Sequence, residues 1–175
     1  MTKFYLIRHG QPDYSYAEEH NFIGHGFDLS PLSMKNIDDV VLTSKNVRLK
    51  QAQIIISSPY TRALQTASII AKEIGRDIII EPDLMEWIPD LTYQYKDRDE
   101  MHCLYDDYIK NSGTYPIGEI RKWETEQCVK DRAMSVVKKY KGNYSTVIIV
   151  AHKMLFQSIC DCGDMKPAEI FETYL

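Results

Sequence analysis

The chain has 175 residues, 44 % of them hydrophobic and 26 % charged, with a formal net charge of −4. That size and balance fit one globular domain, 1–175, with a single sizeable core. They exclude a general electrostatic attraction to nucleic acid or to an anionic membrane, so any anionic ligand must be held by a local cluster of cations.

In chain order, four short β-branched runs read as buried strands, because they are nearly continuous rather than alternating: Lys3–Arg8, 53–57, 77–81 and 145–151. Helical patterns lie between most of them. Ser30-Pro31 opens one through Val47, with Ser33 as an equally good cap. Ser58-Pro59 opens the next, since Ser caps and Pro suits a first turn; Ala63, Ala67, Ile70 and Ile74 then share a face and Gly75 ends the helix. The stretch 82–118 breaks the rhythm with Pro82, Pro89, Gly113 and Pro116 around an acidic, Tyr-rich patch, and reads as a cap insertion over one end of the sheet. A long charged helix is expected over 119–141, with Ile120, Trp123, Val129, Ala133, Val136 and Val137 inward. A short helix follows at 154–159, and 169–174 alternates like an edge strand. Strands alternating with helices imply a three-layer α/β/α fold with a mostly parallel central sheet and a small helical insertion.

No apolar stretch reaches the roughly 18 residues of a membrane span, and the N-terminal apolar run is too short for a signal peptide. Cys103, Cys128, Cys160 and Cys162 are too sparse for a disulfide scaffold, which suggests reduced thiols and a cytoplasmic protein. Cys160-x-Cys162 lacks the usual zinc spacing, so no metal and no cofactor is expected.

In an open α/β sheet, ligands bind beyond the carboxyl ends of the strands. The first strand ends in Arg8-His9-Gly10 and the fourth in Ala151-His152-Lys153. The second runs into Ser57-Ser58-Pro59-Tyr60-Thr61-Arg62, and the third is followed by Asp83-Leu84-Met85-Glu86. Two histidines, two arginines and a glutamate thus fall on one rim. Two guanidiniums can clamp a phosphoryl group through forked hydrogen bonds. A neutral imidazole can attack phosphorus, a second can donate to the same oxygens, and a carboxylic acid can protonate the leaving alkoxide. No metal is needed where these groups supply the positive charge.

These motifs resemble the histidine phosphatase superfamily, the phosphoglycerate-mutase-like proteins. Phe4-Tyr5-Leu6-Ile7-Arg8-His9-Gly10-Gln11 is similar to its N-terminal signature, and Ser57-Ser58-Pro59-Tyr60-Thr61-Arg62-Ala63-Leu64-Gln65-Thr66-Ala67 to its second motif. Asp83-Leu84-Met85-Glu86 resembles the acid-bearing segment of the larger branch. Pro116-Ile117-Gly118-Glu119 resembles a turn before a long helix, and 147–152 the strand carrying the second histidine. The resemblance implies His9 as the phosphorylated nucleophile, Arg8 and Arg62 as the phosphate-binding pair, His152 as the second phosphate-side histidine and Glu86 as proton donor. Gly10, Gln11, Ser15 and Lys153 are implied as substrate-side positions. It implies a small-molecule phosphomonoester as substrate, with no nucleic acid or membrane partner and no stated oligomeric state.

The chain departs from the family pattern at several places. Lys153 stands where members usually carry Gly, Ser15 where many carry Asn, and Asn36 with Asp38-Asp39 where Gly and Gln-Ala are usual. Trp87-Ile88-Pro89 follows the acid. Hydrolysis through phosphohistidine is the expected activity. The alternatives are a mutase, a phosphate-binding module without turnover, and a protein-phosphohistidine phosphatase, against which Glu86 argues. His20, His25 and His102 read as surface residues, although His25 lies in the 9–30 loop and could approach substrate; the tyrosines read as packing with some at the pocket mouth, and the carboxylates of 97–107 as a solvated helix face.

Overall fold

The computed structural model describes residues 1–120 and 122–175. The expected strands form as β1 (Lys3–Arg8), β2 (Ile54–Ser57), β3 (Ile78–Ile80), β4 (Thr146–Ala151) and β5 (Ile170–Thr173), each within one residue of the sequence reading. Their order across the sheet is β3-β2-β4-β1-β5. β1, β4, β2 and β3 run parallel, and β5 is the antiparallel edge beside β1. Helices α1 (Ser15–Glu19), α2 (Ile37–Ser44), α3 (Thr61–Ile74), α4 (Arg98–Lys110), α5 (Glu126–Tyr140) and α6 (Lys153–Ile159) complete the fold.

Side-chain alternation along the strands divides the core in two. Phe4, Leu6, Val147 and Ile149 face one way and pack with Val129 and Ala133 of α5 and Leu155 and Phe156 of α6. Tyr5, Ile7, Ile148 and Val150 face the other way and pack with Ala63, Ala67 and Ile70 of α3. Because both faces are covered, the central strands are apolar throughout, which is why they read as continuous runs. The register pairs Arg8 with Ala151 and Ser57 with Val150. The carboxyl ends of β1, β4 and β2 therefore stop level, and the residues that follow them converge on one rim.

Three expected helices differ from what forms. The helix expected from 30 to 47 is broken into a turn at Met34–Asn36, α2, and a second turn at Val47–Gln51, and no serine side chain caps it. The helix expected over 119–141 begins only at Glu126, where the Thr125 side chain accepts from the Cys128 N–H. Ile120 is exposed, and Trp123 is buried in the approach to the helix rather than on it. Arg121 lies outside the described residues. Pro116–Glu119 does form a turn, with the Glu119 N–H donating to the Pro116 carbonyl at 3.3 Å, but α5 starts only later, at Glu126. The helix expected from Ser58 starts at Thr61, because Ser58 is engaged elsewhere.

Candidate active site

His9 follows β1 and continues its pairing: its backbone N–H donates to the Ala151 carbonyl at 3.0 Å. The ring is buried. Nδ1 lies 2.7 Å from the Gly10 carbonyl, which can only accept, so Nδ1 carries the proton and Nε2 the lone pair. The Arg62 Nε–H points at that lone pair from 3.3 Å. Burial, with the charges of Arg62 and Arg8, holds the imidazole well below its ordinary 6.5 and so neutral.

His152 stands at the end of β4, fully buried, with its ring 4.9 Å from that of His9 and edge-on to it. Ser58 Oγ lies 2.7 Å from its Nε2 and also accepts, at 3.3 Å, from the Tyr60 N–H. The hydroxyl thus has its proton to give to Nε2, which leaves the proton of the ring on Nδ1. Nδ1 is buried and has no hydrogen-bond partner among the described residues. Burial first, then Arg62 and His9, keeps this ring neutral as well. The residue that looked like a helix cap is a tautomer-setting partner of the second histidine.

Arg62, in the first turn of α3, lies over the Tyr60 ring at 4.9 Å, and its terminal nitrogens reach Asp28 Oδ1 at 3.3 and 3.4 Å. Burial and then Asp28 push the Tyr60 phenol upward, so it stays protonated beside this pair. Arg8, the last residue of β1, donates through Nη1 to the Met165 carbonyl at 2.6 Å, while its Nε is buried with no partner among the described residues. Two guanidiniums and two imidazoles are therefore packed together at the level where the strands end.

Glu86 is half-buried, with its carboxylate against the start of α6. Its Oε1 accepts from the Trp87 and Leu155 N–H groups at 2.9 and 3.1 Å, and its Oε2 from that of Met154 at 3.3 Å. Those hydrogen bonds favour the carboxylate, but burial outweighs them and pushes the acid above its ordinary 4.5. Behind it, Arg132 of α5 donates to the carbonyls of Asp83, Met85 and Glu86 at 2.7, 2.6 and 3.0 Å. Glu124 holds that guanidinium from the other side at 2.7 and 2.9 Å. The loop bearing the acid is thus fixed by one buried ion pair.

Arg8, His9, Arg62 and Glu86 all border one cavity of about 400 Å³, as do Gln11 and Lys153. The Lys153 ammonium lies 2.9 Å from Asp164, an arrangement the sequence did not reveal. Three expected positions do not border the cavity: His152, wholly buried beside His9, and Ser15 and Gly10. Ser15 is exposed, with its hydroxyl on Asp13 at 2.6 Å. The Gly10 N–H is occupied by Thr66 Oγ1 at 3.0 Å, and a Cβ there would meet Val40 Cγ2 at 2.4 Å. Gly10 lets β1 end tightly against α2 instead of touching substrate. His25 and His102, read as surface residues, border the cavity, with His25 stacked on Tyr93 and bonded to Asp28. Asp28, Ser58 and Arg132 were missed. Of these only Arg132 carried a signal, a charge on the stripe shared by Val129, Ala133 and Val136.

A sequence model of the histidine phosphatase superfamily, branch 1, matches residues 4–173. A Hydrogenobacter thermophilus protein named for a phosphoserine phosphatase is 28 % identical over 155 residues, 87 % of this chain and 73 % of that one. A Photorhabdus laumondii protein named for a phosphoglycerate mutase is 35 % identical over 86 residues, 49 % of this chain, and the matched stretch spans only 38 % of its length. Among solved structures, the mycobacterial glucosyl-3-phosphoglycerate phosphatase superposes with a TM-score of 0.73 at 19 % identity, over 98 % of this chain and 89 % of its own.

Proposed function

The chain belongs to branch 1 of the histidine phosphatase superfamily, and from that premise we propose that it hydrolyses small phosphomonoesters without a metal, through a phosphohistidine on His9. The observation that carries this reading is the state of His9: a buried, neutral ring whose Nε2 lone pair faces the Arg62 guanidinium. An ester phosphoryl group entering the cavity takes the place of that lone pair as the partner of Arg62, and Nε2 is left aimed at phosphorus. As the N–P bond forms and the P–O ester bond breaks, Arg8, Arg62 and the Nδ1–H of His152 stabilise charge on the equatorial oxygens. Glu86 gives its proton to the departing alkoxide. It then takes one from the water that attacks phosphorus, and the N–P bond breaks to return His9.

A mutase shares the first half of this scheme, and the name of the Photorhabdus relative favours it. Retaining a phosphoglycerate through two transfers requires cations for its carboxylate beyond Arg8 and Arg62, and the lysine and arginine that remain on the cavity border already face carboxylates: Lys153 with Asp164, Arg98 with Glu18. That pairing favours release to water.

The test is phosphate release from a chromogenic phosphomonoester, with and without chelator, and with His9→Ala. Chelator-insensitive release that disappears in His9→Ala is expected. Release that survives His9→Ala overturns the assignment, and isomerisation of phosphoglycerate dependent on a bisphosphate primer turns the reading to a mutase.

A further inference from the structure

The cavity changes character away from the phosphate end. Tyr14, Phe27 and Tyr95 border one side, with Phe27 and Tyr95 stacked at 6.0 Å, and Trp87 and Tyr105 of the insertion border it with ring centroids 5.9 Å apart. Such surfaces present flat apolar faces with polar edges, and they select ring-shaped or apolar bodies over small hydrated ones.

The charges around this wall are already matched. Arg98 points to Glu18 at 3.2 Å and lies over the Tyr14 ring at 5.0 Å. Lys153 lies 2.9 Å from Asp164. A second anionic group on the substrate would have to displace one of these carboxylates and would gain no new ion pair. The helix that supplies Arg98, Met101, His102 and Tyr105 to the wall also carries Asp99, Glu100, Asp106 and Asp107, whose field at the mouth repels anions.

Resting on the phosphomonoesterase reading, we infer that the alcohol half of the substrate is an uncharged, ring-bearing body seated against Tyr14, Trp87 and Tyr105, and that esters carrying a carboxylate or a second phosphate are poor substrates. The single phosphoryl group is met by Arg8 and Arg62. The body is met mainly by rings. The acid at Glu86, on the cavity border, further fits an alkyl alcohol as leaving group, which needs a proton, rather than a phenol, which does not.

Two arms test this. In the first, kcat/KM is compared for phenethyl phosphate and a nucleoside monophosphate against glycerol phosphate and phosphoglycerate. The ring-bearing esters are expected to lead by about tenfold or more. Tyr105→Ala and Tyr14→Ala should raise KM for the ring-bearing esters far more than for glycerol phosphate, and Tyr105→Phe, which keeps the ring, should restore the ratio. Phosphoglycerate hydrolysed as well as phenethyl phosphate overturns the inference while leaving the hydrolase reading intact. The second arm needs no turnover: calorimetric binding of phenethylphosphonate against phosphonoacetate. Tighter binding of the ring-bearing phosphonate supports the inference even if no ester is hydrolysed, an outcome that would count against the hydrolase reading alone. Equal or weaker binding overturns it.

Discussion

The floor of the cavity is held by backbone and the wall by side chains. On the floor, His9 continues the β1–β4 ladder, and Ala151, Ser57 and Val150 around it are wholly buried. The wall hangs on α4, which has no fully buried residue. It is fastened by scattered contacts, such as the Trp123 indole N–H on Asp107 at 2.9 Å and the Arg98–Glu18 pair. A floor tied to the sheet can hold catalytic groups to a fraction of an ångström, and chemistry needs that. A wall tied by side chains can change with little cost to the fold, and substrate choice needs that. Substitutions in the floor should therefore lower the rate on all esters alike, and substitutions in the wall should change which ester is favoured.

The sharpest way to break that division is at Glu86, where wall and floor meet. Glu86→Gln should lower kcat/KM, which reports only the first transfer, by about 10²–10⁴ on an alkyl phosphate, yet spare it on nitrophenyl phosphate, whose leaving group departs without a proton. Equal losses on both would remove Glu86 from the acid role. Next comes Arg62→Lys, which keeps the charge but loses the fork that reaches His9 and Asp28 together. A fall of about 10²–10³ in kcat is expected, the same for ring-bearing and ring-free esters. A loss confined to one class would place Arg62 in the wall.

A smaller effect is expected at Arg132, which does not itself border the cavity but fixes the carbonyls around Glu86. Arg132→Met should lower kcat on alkyl esters about tenfold through misplacement of the acid, with nitrophenyl phosphate nearly unaffected. It should also destabilise the fold by about 3–5 kcal/mol, because Glu124 is left buried without its partner. A purely structural role would lower both activities together.

The smallest effect is on stability against pH, and it belongs to the floor. His9 and His152 are held below 6.5 in the folded chain. The unfolded chain therefore binds more protons as pH falls through that value, and stability is lost on the acid side of it. Glu86, held above 4.5, acts in the opposite sense and offsets part of this. Thermal melts should show the melting temperature falling from pH 7 toward pH 5, and His152→Gln should flatten that slope. A slope unchanged by the substitution would mean that the ring is not buried neutral.

The same division explains how much the sequence revealed. Continuous β-branched runs marked the strands, and the rule that ligands sit beyond their carboxyl ends put His9, Arg62, Glu86 and His152 on one rim. The helices were less legible. A Ser-Pro pair before an apolar run signals a cap, yet Ser58 spends its hydroxyl on His152. The charged pattern around Trp123 reads as helix, yet Trp123 fills the core from an extended approach that the Tyr115 phenol ties down at 3.0 Å. Asp28 and Arg132 stayed hidden because their roles depend on partners far along the chain, which local pattern cannot supply. Gly10 sits beside His9 where a close approach leaves no room for a side chain, and the close neighbour is Val40 of α2.

The central claim is that phosphorus passes through the imidazole of residue nine. Mixing the protein with a phosphate-labelled ester and quenching in alkali within one turnover should leave label on the peptide containing His9, stable to base and lost in acid, and none in His9→Ala. Turnover with no protein-bound label, or label on any other side chain, would contradict it.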